Sequence, residues 1–220
     1  MHIVFLILAL LCVALLAVWV YGAATIGSGI FVKAQCRVDP SDGILLTFDD
    51  GPDPDVTPRV LDVLDRHHQK AIFFVIGSKA EAHPEVLREI VRRGHRVGNH
   101  TFSHSPYANF LGGRHLEREI RMADDAIERA CGIRPTLFRP PLGISTHFMR
   151  GVLRHTGHSV VGWSVRSFDT RREPREKVLR RVVRNLKGGD IVLLHDRLYG
   201  ADWLADEVLC WWEKHNSPRP

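Results

Sequence analysis

The hydrophobic pattern changes character once along the chain. From Ile3 to Ala24 it reads IVFLILALLCVALLAVWVYGAA, with no Asp, Glu, Lys or Arg and no polar face. A run of about 20 apolar residues is long enough to cross a bilayer as a helix. Trp19 and Tyr21 near its end suit a membrane interface. No Lys or Arg precedes the run, and the run is long, so an uncleaved anchor over residues 1–24 is expected. The competing reading is a secretory signal peptide cut near Gly22-Ala23-Ala24. Lys33 and Arg37 follow the span; by the positive-inside rule alone they would keep the rest of the chain in the cytoplasm.

Beyond a Gly- and Ser-containing linker, residues 25–40, short apolar runs alternate with amphipathic ones. Strand-like runs are 44–48, 71–76, 96–98, 136–138, 159–165 and 191–194. Helix-like runs lie between them. Thr57-Pro58 offers an N-cap and a proline at the first helical position, opening a helix to about Arg66. Further helices are expected over 84–93, 114–130, 145–155, 174–186 and 202–214, several of them ending at a glycine such as Gly94, Gly132 or Gly157. Strand and helix in strict alternation predict a parallel sheet covered by helices. Six strands, and room for one more, fit either an open doubly wound sheet or a closed barrel.

The chain has 220 residues, 45% of them hydrophobic, which suits one domain, residues 41–216, behind the apolar appendage. The net charge is +5. Much of the basic excess lies in TRREPREKVLRRVVRNLK, residues 170–187. There Val178, Leu179, Val182, Val183 and Leu186 recur at helical spacing, so the charges read as the solvated face of a helix. No aromatic residues interleave with them, and no nucleic-acid partner is expected. The four cysteines, Cys12, Cys36, Cys131 and Cys210, show neither CxxC spacing nor a disulfide framework.

The residues able to do chemistry follow the strands. Asp49-Asp50 follow the first, NHTFSH with His100 and His104 the third, Arg139-Pro140-Pro141-Leu142-Gly143 the fourth, RSFD with Arg166 and Asp169 the fifth, and His195-Asp196 the sixth. The carboxyl ends of barrel strands are where such active sites form. One carboxylate and two imidazoles make a facial set of ligands, and Asp50, His100 and His104 could supply it. A cation there also accounts for two adjacent aspartates, which otherwise repel. Asp49 then acts as a base on an activated water, Arg139 pairs with Asp49, and His195 serves as a general acid. The plainer readings are a turn for Asp-Gly-Pro-Asp and a structural histidine bonded to Asp196.

TFDDGPD, HTFSH, FRPPLG and LLHD, in this order, resemble the polysaccharide deacetylase family, also called carbohydrate esterase family four or the NodB-homology domain. The resemblance spans about residues 40–215. It implies a distorted (β/α) barrel of six or seven parallel strands and a divalent metal, commonly zinc. It also implies hydrolysis of N-acetyl groups from N-acetylglucosamine units of chitin-like polymers or peptidoglycan. Carried over by motif, Asp49 matches the catalytic base, Asp50, His100 and His104 the metal ligands, Arg139 the residue orienting the base, and His195 the acid. Residue 142, preceded by Pro141, contributes a backbone N–H to the oxyanion site; it is usually aromatic in the family and is Leu here. The fourth motif departs further. Arg166 stands where the family has the Asp that tunes the acid, and Thr170 replaces a Trp. An arginine beside His195 would lower its pKa, so either another carboxylate, Asp169 or Asp196, compensates, or the pH optimum and substrate differ from those usual in the family. Trp163, Trp203, Trp211 and Trp212 read mainly as packing residues. An envelope glycan as substrate puts the catalytic domain outside the cytoplasm, against the weak charge signal, as a membrane-anchored monomer. Two rivals stay open: a deacylase or amidohydrolase on another substrate, and a non-catalytic glycan-binding protein.

Overall fold

The computed structural model describes residues 2–105, 107 and 109–216. In chain order the elements are α1 (His2–Ala24), β1 (Ala34–Gln35), β2 (Leu45–Gly51), α2 (Thr57–Arg66), β3 (Ala71–Val75), α3 (Gly77–Ala82), α4 (Pro84–Arg92), β4 (Arg96–Asn99), α5 (Gly113–Cys131), β5 (Leu137–Phe138), α6 (Met149–Thr156), β6 (Ser159–Val161), β7 (Val165–Arg166), α7 (Arg175–Val183), β8 (Ile191–His195) and α8 (Ala201–Asn216). All ladder pairs between named strands are parallel, in the order β1-β6-β5-β4-β3-β2-β8-β7.

The run expected as one strand over 159–165 is two, and they lie at opposite ends of that order. Gly162, Trp163 and Ser164 join them. The Gly162 N–H donates to the Gln35 carbonyl of β1, and the Ser164 N–H donates to the Ile191 carbonyl of β8. Three residues can link strands six places apart only if the sheet curls until its ends nearly meet. The result is a distorted barrel of eight strands rather than six or seven, with β1 and β7 unpaired to each other.

Alternation along the strands sorts the side chains. On β2, Leu46 and Phe48 join the main apolar cluster under the helices, with Phe73, Leu61, Leu64 and Leu204. Ile72, Phe74, Val161 and Ile191 form a separate cluster. On β2 the polar alternates, Thr47 and Asp49, meet the fully buried Arg139. The basic stretch behaves as a solvated helix: α7 buries Val178 and Val182 and packs Leu179 and Val183 against the core. Trp203, Trp211 and Trp212 also pack against that core.

Residues 25–40, read above as a linker, are part of the packing. Ile26 and Val32 are buried with Phe138, Met149 and Val160, and β1 extends the sheet. The helix expected over 145–155 covers only Met149–Thr156, because Ser145 is used otherwise. Its N–H donates to the Ala23 carbonyl and its hydroxyl to the Gly22 carbonyl, tying this loop to the end of α1. Thr57 is not an N-cap. Its hydroxyl accepts from the Asp53 N–H and donates to Asp196.

α1 is long and apolar enough to cross a membrane, and none of its most apolar stretch is buried in the protein. Its 23 residues span about 35 Å, against about 30 Å of hydrocarbon.

Candidate active site

A cleft of about 180 Å³ opens at the carboxyl ends of the strands. Asp49, Asp50, His100, His104, Leu142 and His195 line it, with Trp163, Arg166, Phe168 and Arg197 on its walls. A larger hollow of about 690 Å³, beside β1 and α6, is lined by Lys33, Arg150, Arg154 and His158 and by no carboxylate among the described residues.

Asp50 lies at the core of the set. Its Oδ1 is 3.1 Å from His104 Nε2 and 3.5 Å from His100 Nε2. Its Oδ2 accepts from Arg197 Nε at 2.7 Å. Burial works to raise the Asp50 carboxyl, but His100, Arg197 and His104 together hold it well below the usual carboxylate range. His100 Nδ1 donates to the Arg139 carbonyl at 2.7 Å, which leaves Nε2 aimed at Asp50. Burial, with His100 beside it, lowers the His104 imidazole, favouring the neutral form that can ligate a metal. Asp50, His104 and Leu142 all have positive φ, 72°, 50° and 61°. Such conformations are costly for residues other than glycine and cluster at functional sites.

The three donor atoms of Asp50, His100 and His104 lie within 4.8 Å of one another. One carboxylate and two imidazoles on one side of a cleft fit a divalent cation with open positions.

Asp49 is held beside this set. Its Oδ1 accepts from Arg139 Nη1 at 2.7 Å, and its Oδ2 is 3.8 Å from His100 Nε2. Arg139 is fully buried. It also donates to the Thr47 hydroxyl and to the carbonyls of Val161 and Gly162, and its guanidinium stacks on Phe74. Across the cleft, His195 Nδ1 donates to Asp169 Oδ1 at 2.7 Å, and the His195 N–H donates to Asp169 Oδ2. Burial pushes the imidazole down, but Asp169 overrides it and the net shift is upward.

Of the two carboxylates considered as partners for His195, only Asp169 reaches it. Asp196 Oδ2 is bound to the Thr57 hydroxyl beneath the cleft, and burial pushes its carboxyl up to about 7. Arg166 lies over the rings of Trp163 and Phe168 at 5.3 and 4.8 Å and makes no hydrogen bond to His195. Leu142 is half exposed on the rim. The N–H groups of Gly143 and Ile144 are taken by the carbonyls of Pro140 and Pro141, while the Leu142 N–H has no backbone partner among the described residues. The Pro141 carbonyl accepts from Asn109 Nδ2.

Sequence reasoning did not find Thr47, Arg197 or Ser145. Thr47 gave a signal, a lone hydroxyl inside a buried apolar strand. Arg197 and Ser145 gave none, because their partners are 147 and 123 residues away.

A curled parallel barrel with a carboxylate–histidine set at its strand ends defines a class of metal-dependent hydrolase. The sequence comparison narrows it. Over residues 37–161, more than half of its length, the chain matches the polysaccharide deacetylase family, and it belongs to that family. It is 38% identical over 160 residues to a peptidoglycan-N-acetylglucosamine deacetylase of Bacillus cereus, covering 70% of this chain and 72% of that protein. It is 40% identical over 156 residues to a chitooligosaccharide deacetylase of Sinorhizobium fredii, covering 70% and 71%. The solved structure of peptidoglycan deacetylase PdaC from Bacillus subtilis superposes with a TM-score of 0.74 at 34% identity, over 81% of this chain and 87% of that one.

Proposed function

We propose that this protein is a polysaccharide deacetylase that hydrolyses N-acetyl groups on N-acetylglucosamine units of an envelope glycan such as peptidoglycan. The observation that carries the reading is the convergence, in one cleft, of a carboxylate–imidazole ligand set, a separately held carboxylate and a carboxylate-backed histidine.

Asp50, His100 and His104 would hold a divalent cation, zinc by the chemistry of the donor set. Bound there, it would polarise the acetamide carbonyl and lower the pKa of water. Asp49 is positioned to take the proton from the attacking water, with Arg139 fixing Oδ1 so that Oδ2 faces the cleft. The Leu142 N–H, without a backbone partner among the described residues, is placed to donate to the oxyanion that develops at the carbonyl. His195 carries its transferable proton on Nε2, because Nδ1 is engaged by Asp169, and delivers it to the departing amine. The C–N bond breaks, a C–O bond forms, and acetate and a free amino sugar leave.

The apolar helix α1 is read as a membrane anchor with the barrel on the outer side, where envelope glycans lie. The bonds from Ser145 to Gly22 and Ala23 support a cleft mouth held near the membrane surface, since Leu142 on that mouth is three residues from the tether. A monomer is the simplest state for such a unit.

The test is acetate release from N-acetylglucosamine oligomers and peptidoglycan fragments by the full-length chain in detergent, with and without chelator, beside Asp49→Asn. Chelator-sensitive release that disappears in the variant is expected. No release from a chain that binds stoichiometric metal would instead support a deacylase for another substrate. No release together with glycan binding that is indifferent to metal would support a binding protein.

A further inference from the structure

A second cluster of metal-ligand side chains lies between α2 and α8, outside the cleft. His67 follows the last residue of α2. Asp206 and Cys210 stand four residues apart on α8 and so share a face. His67 Nε2 is 2.9 Å from Asp206 Oδ1 and 4.0 Å from Cys210 Sγ. One donor atom from each of the three lies within 4.8 Å of the others. α2 begins at Thr57, whose hydroxyl binds Asp196 beneath the cleft. His67 is ten residues further on, about 15 Å along the helix axis.

Two accounts of this cluster compete. In the first, His67 is a cation clamped by Asp206 and Glu213, a latch between two helices. That account has no use for Cys210. In the second, the three side chains ligate a metal. Zinc bonds of about 2.0–2.1 Å to nitrogen or oxygen and about 2.3 Å to sulfur, at tetrahedral angles, put nitrogen and oxygen about 3.3 Å apart and nitrogen and sulfur about 3.6 Å apart. The observed separations differ from these by about 0.5 Å or less, within a rotamer adjustment.

The surrounding contacts favour ligation. Glu213 Oε1 lies 2.7 Å from His67 Nδ1. A carboxylate on the far nitrogen is how ligating histidines are held, because it keeps the proton on Nδ1 and leaves the Nε2 lone pair to the metal. The His67 side chain is 9% exposed, and Cys210 reaches solvent, which leaves a path for a cation and a fourth ligand. Arg66 Nη2 also binds Asp206 Oδ1, at 2.9 Å, and offsets part of its negative charge. A thiolate with an imidazole suits zinc-like ions rather than magnesium or calcium.

We propose that His67, Asp206 and Cys210 form a second divalent-cation site of the zinc class, with Glu213 orienting His67. Such a site staples α2 to α8, the helix that follows the His195 strand.

Cobalt(II) is the probe, added to the full-length chain in detergent. The cleft ligands include no sulfur, so a thiolate-to-cobalt charge-transfer band reports only a cysteine site. The expected result is two cobalt ions per chain and a charge-transfer band that zinc abolishes by displacement. Cys210→Ser should lose the band and one ion and keep the other. Asp50→Ala should keep the band and lose the cleft ion. Glu213→Gln should weaken cobalt at the banded site about 10–100-fold, the usual cost of removing an orienting partner. No band at saturating cobalt, or a band that survives Cys210→Ser, would overturn the proposal. Cys210 is exposed, so its serine variant tests the site without risk to the fold; the melting temperature of each variant without metal controls for that.

Discussion

Arg139 offers the sharpest test of how the barrel interior is held together. It is fully buried and donates four hydrogen bonds, at 3.0, 2.8, 2.7 and 2.7 Å, one of them to the buried carboxylate of Asp49. Replacing it with methionine keeps much of the volume but strands a carboxylate and two carbonyls. Removing one partner of a buried pair costs about 3–5 kcal/mol, mostly because the other charge is left uncompensated. For a domain of this size each kcal/mol lowers the melting temperature by about 2–4 °C, so Arg139→Met should melt about 6–20 °C lower. Asp49→Asn alone leaves a buried guanidinium without its carboxylate and should also destabilise. The double variant Asp49→Asn/Arg139→Met has no stranded charge. It should melt well above the sum of the two single losses, with a coupling of about 2 kcal/mol or more. The assay is thermal unfolding of chelator-treated protein, followed by circular dichroism and run as a double-mutant cycle. Independent sites add to within about 0.3–0.5 kcal/mol. Additivity at that level would refute the claim that the Arg139–Asp49 charge pair organises the interior. Acetate release should be absent from all three variants.

Other outcomes follow from the same geometry. Asp169→Asn removes the carboxylate that raises His195, so the alkaline limb of the pH–rate profile should move to lower pH; an unmoved limb with a uniform loss at every pH would show that Asp169 only orients the ring. His95 accepts from the Ala71 N–H through Nδ1, and burial, with Lys70 nearby, holds its imidazole down to about 4, from 6.5. The folded state therefore binds fewer protons than the unfolded one between those values, and stability present above pH 6.5 should be lost as the pH falls toward 4. His95→Gln should flatten that fall in melting temperature, and an unchanged slope would assign it to other groups. A chain starting at residue 41 loses β1 and the buried Ile26 and Val32. It should be less stable than one starting at residue 21 by up to about 3–6 kcal/mol, from apolar burial alone; equal melting temperatures would show that the segment is dispensable.

What the sequence by itself determined is local or periodic. The apolar run 3–24 could be read because a bilayer demands length without charge. The strands could be read because buried parallel strands are continuous apolar runs, and the chemistry-bearing residues because each follows such a run directly. The family could be recognised because TFDDGPD and HTFSH are contiguous. What only the tertiary structure decided concerns partners far apart in the chain. Periodicity read 159–165 as one strand, and the curl of the sheet broke it at Gly162 to place Trp163 inside the cleft. Asp169 and Asp196 were equal candidates to back His195, since one lies a motif away and the other next door. Adjacent strand residues point to opposite faces, so Asp196 turns under the sheet to Thr57, and Asp169 arrives from across the barrel. Arg197 on Asp50, Ser145 on the end of α1 and His67 beside Cys210 join residues 147, 123 and 143 positions apart. A side chain's partner at that range is set by where the sheet closes and how the helices pack on it, which no local pattern encodes.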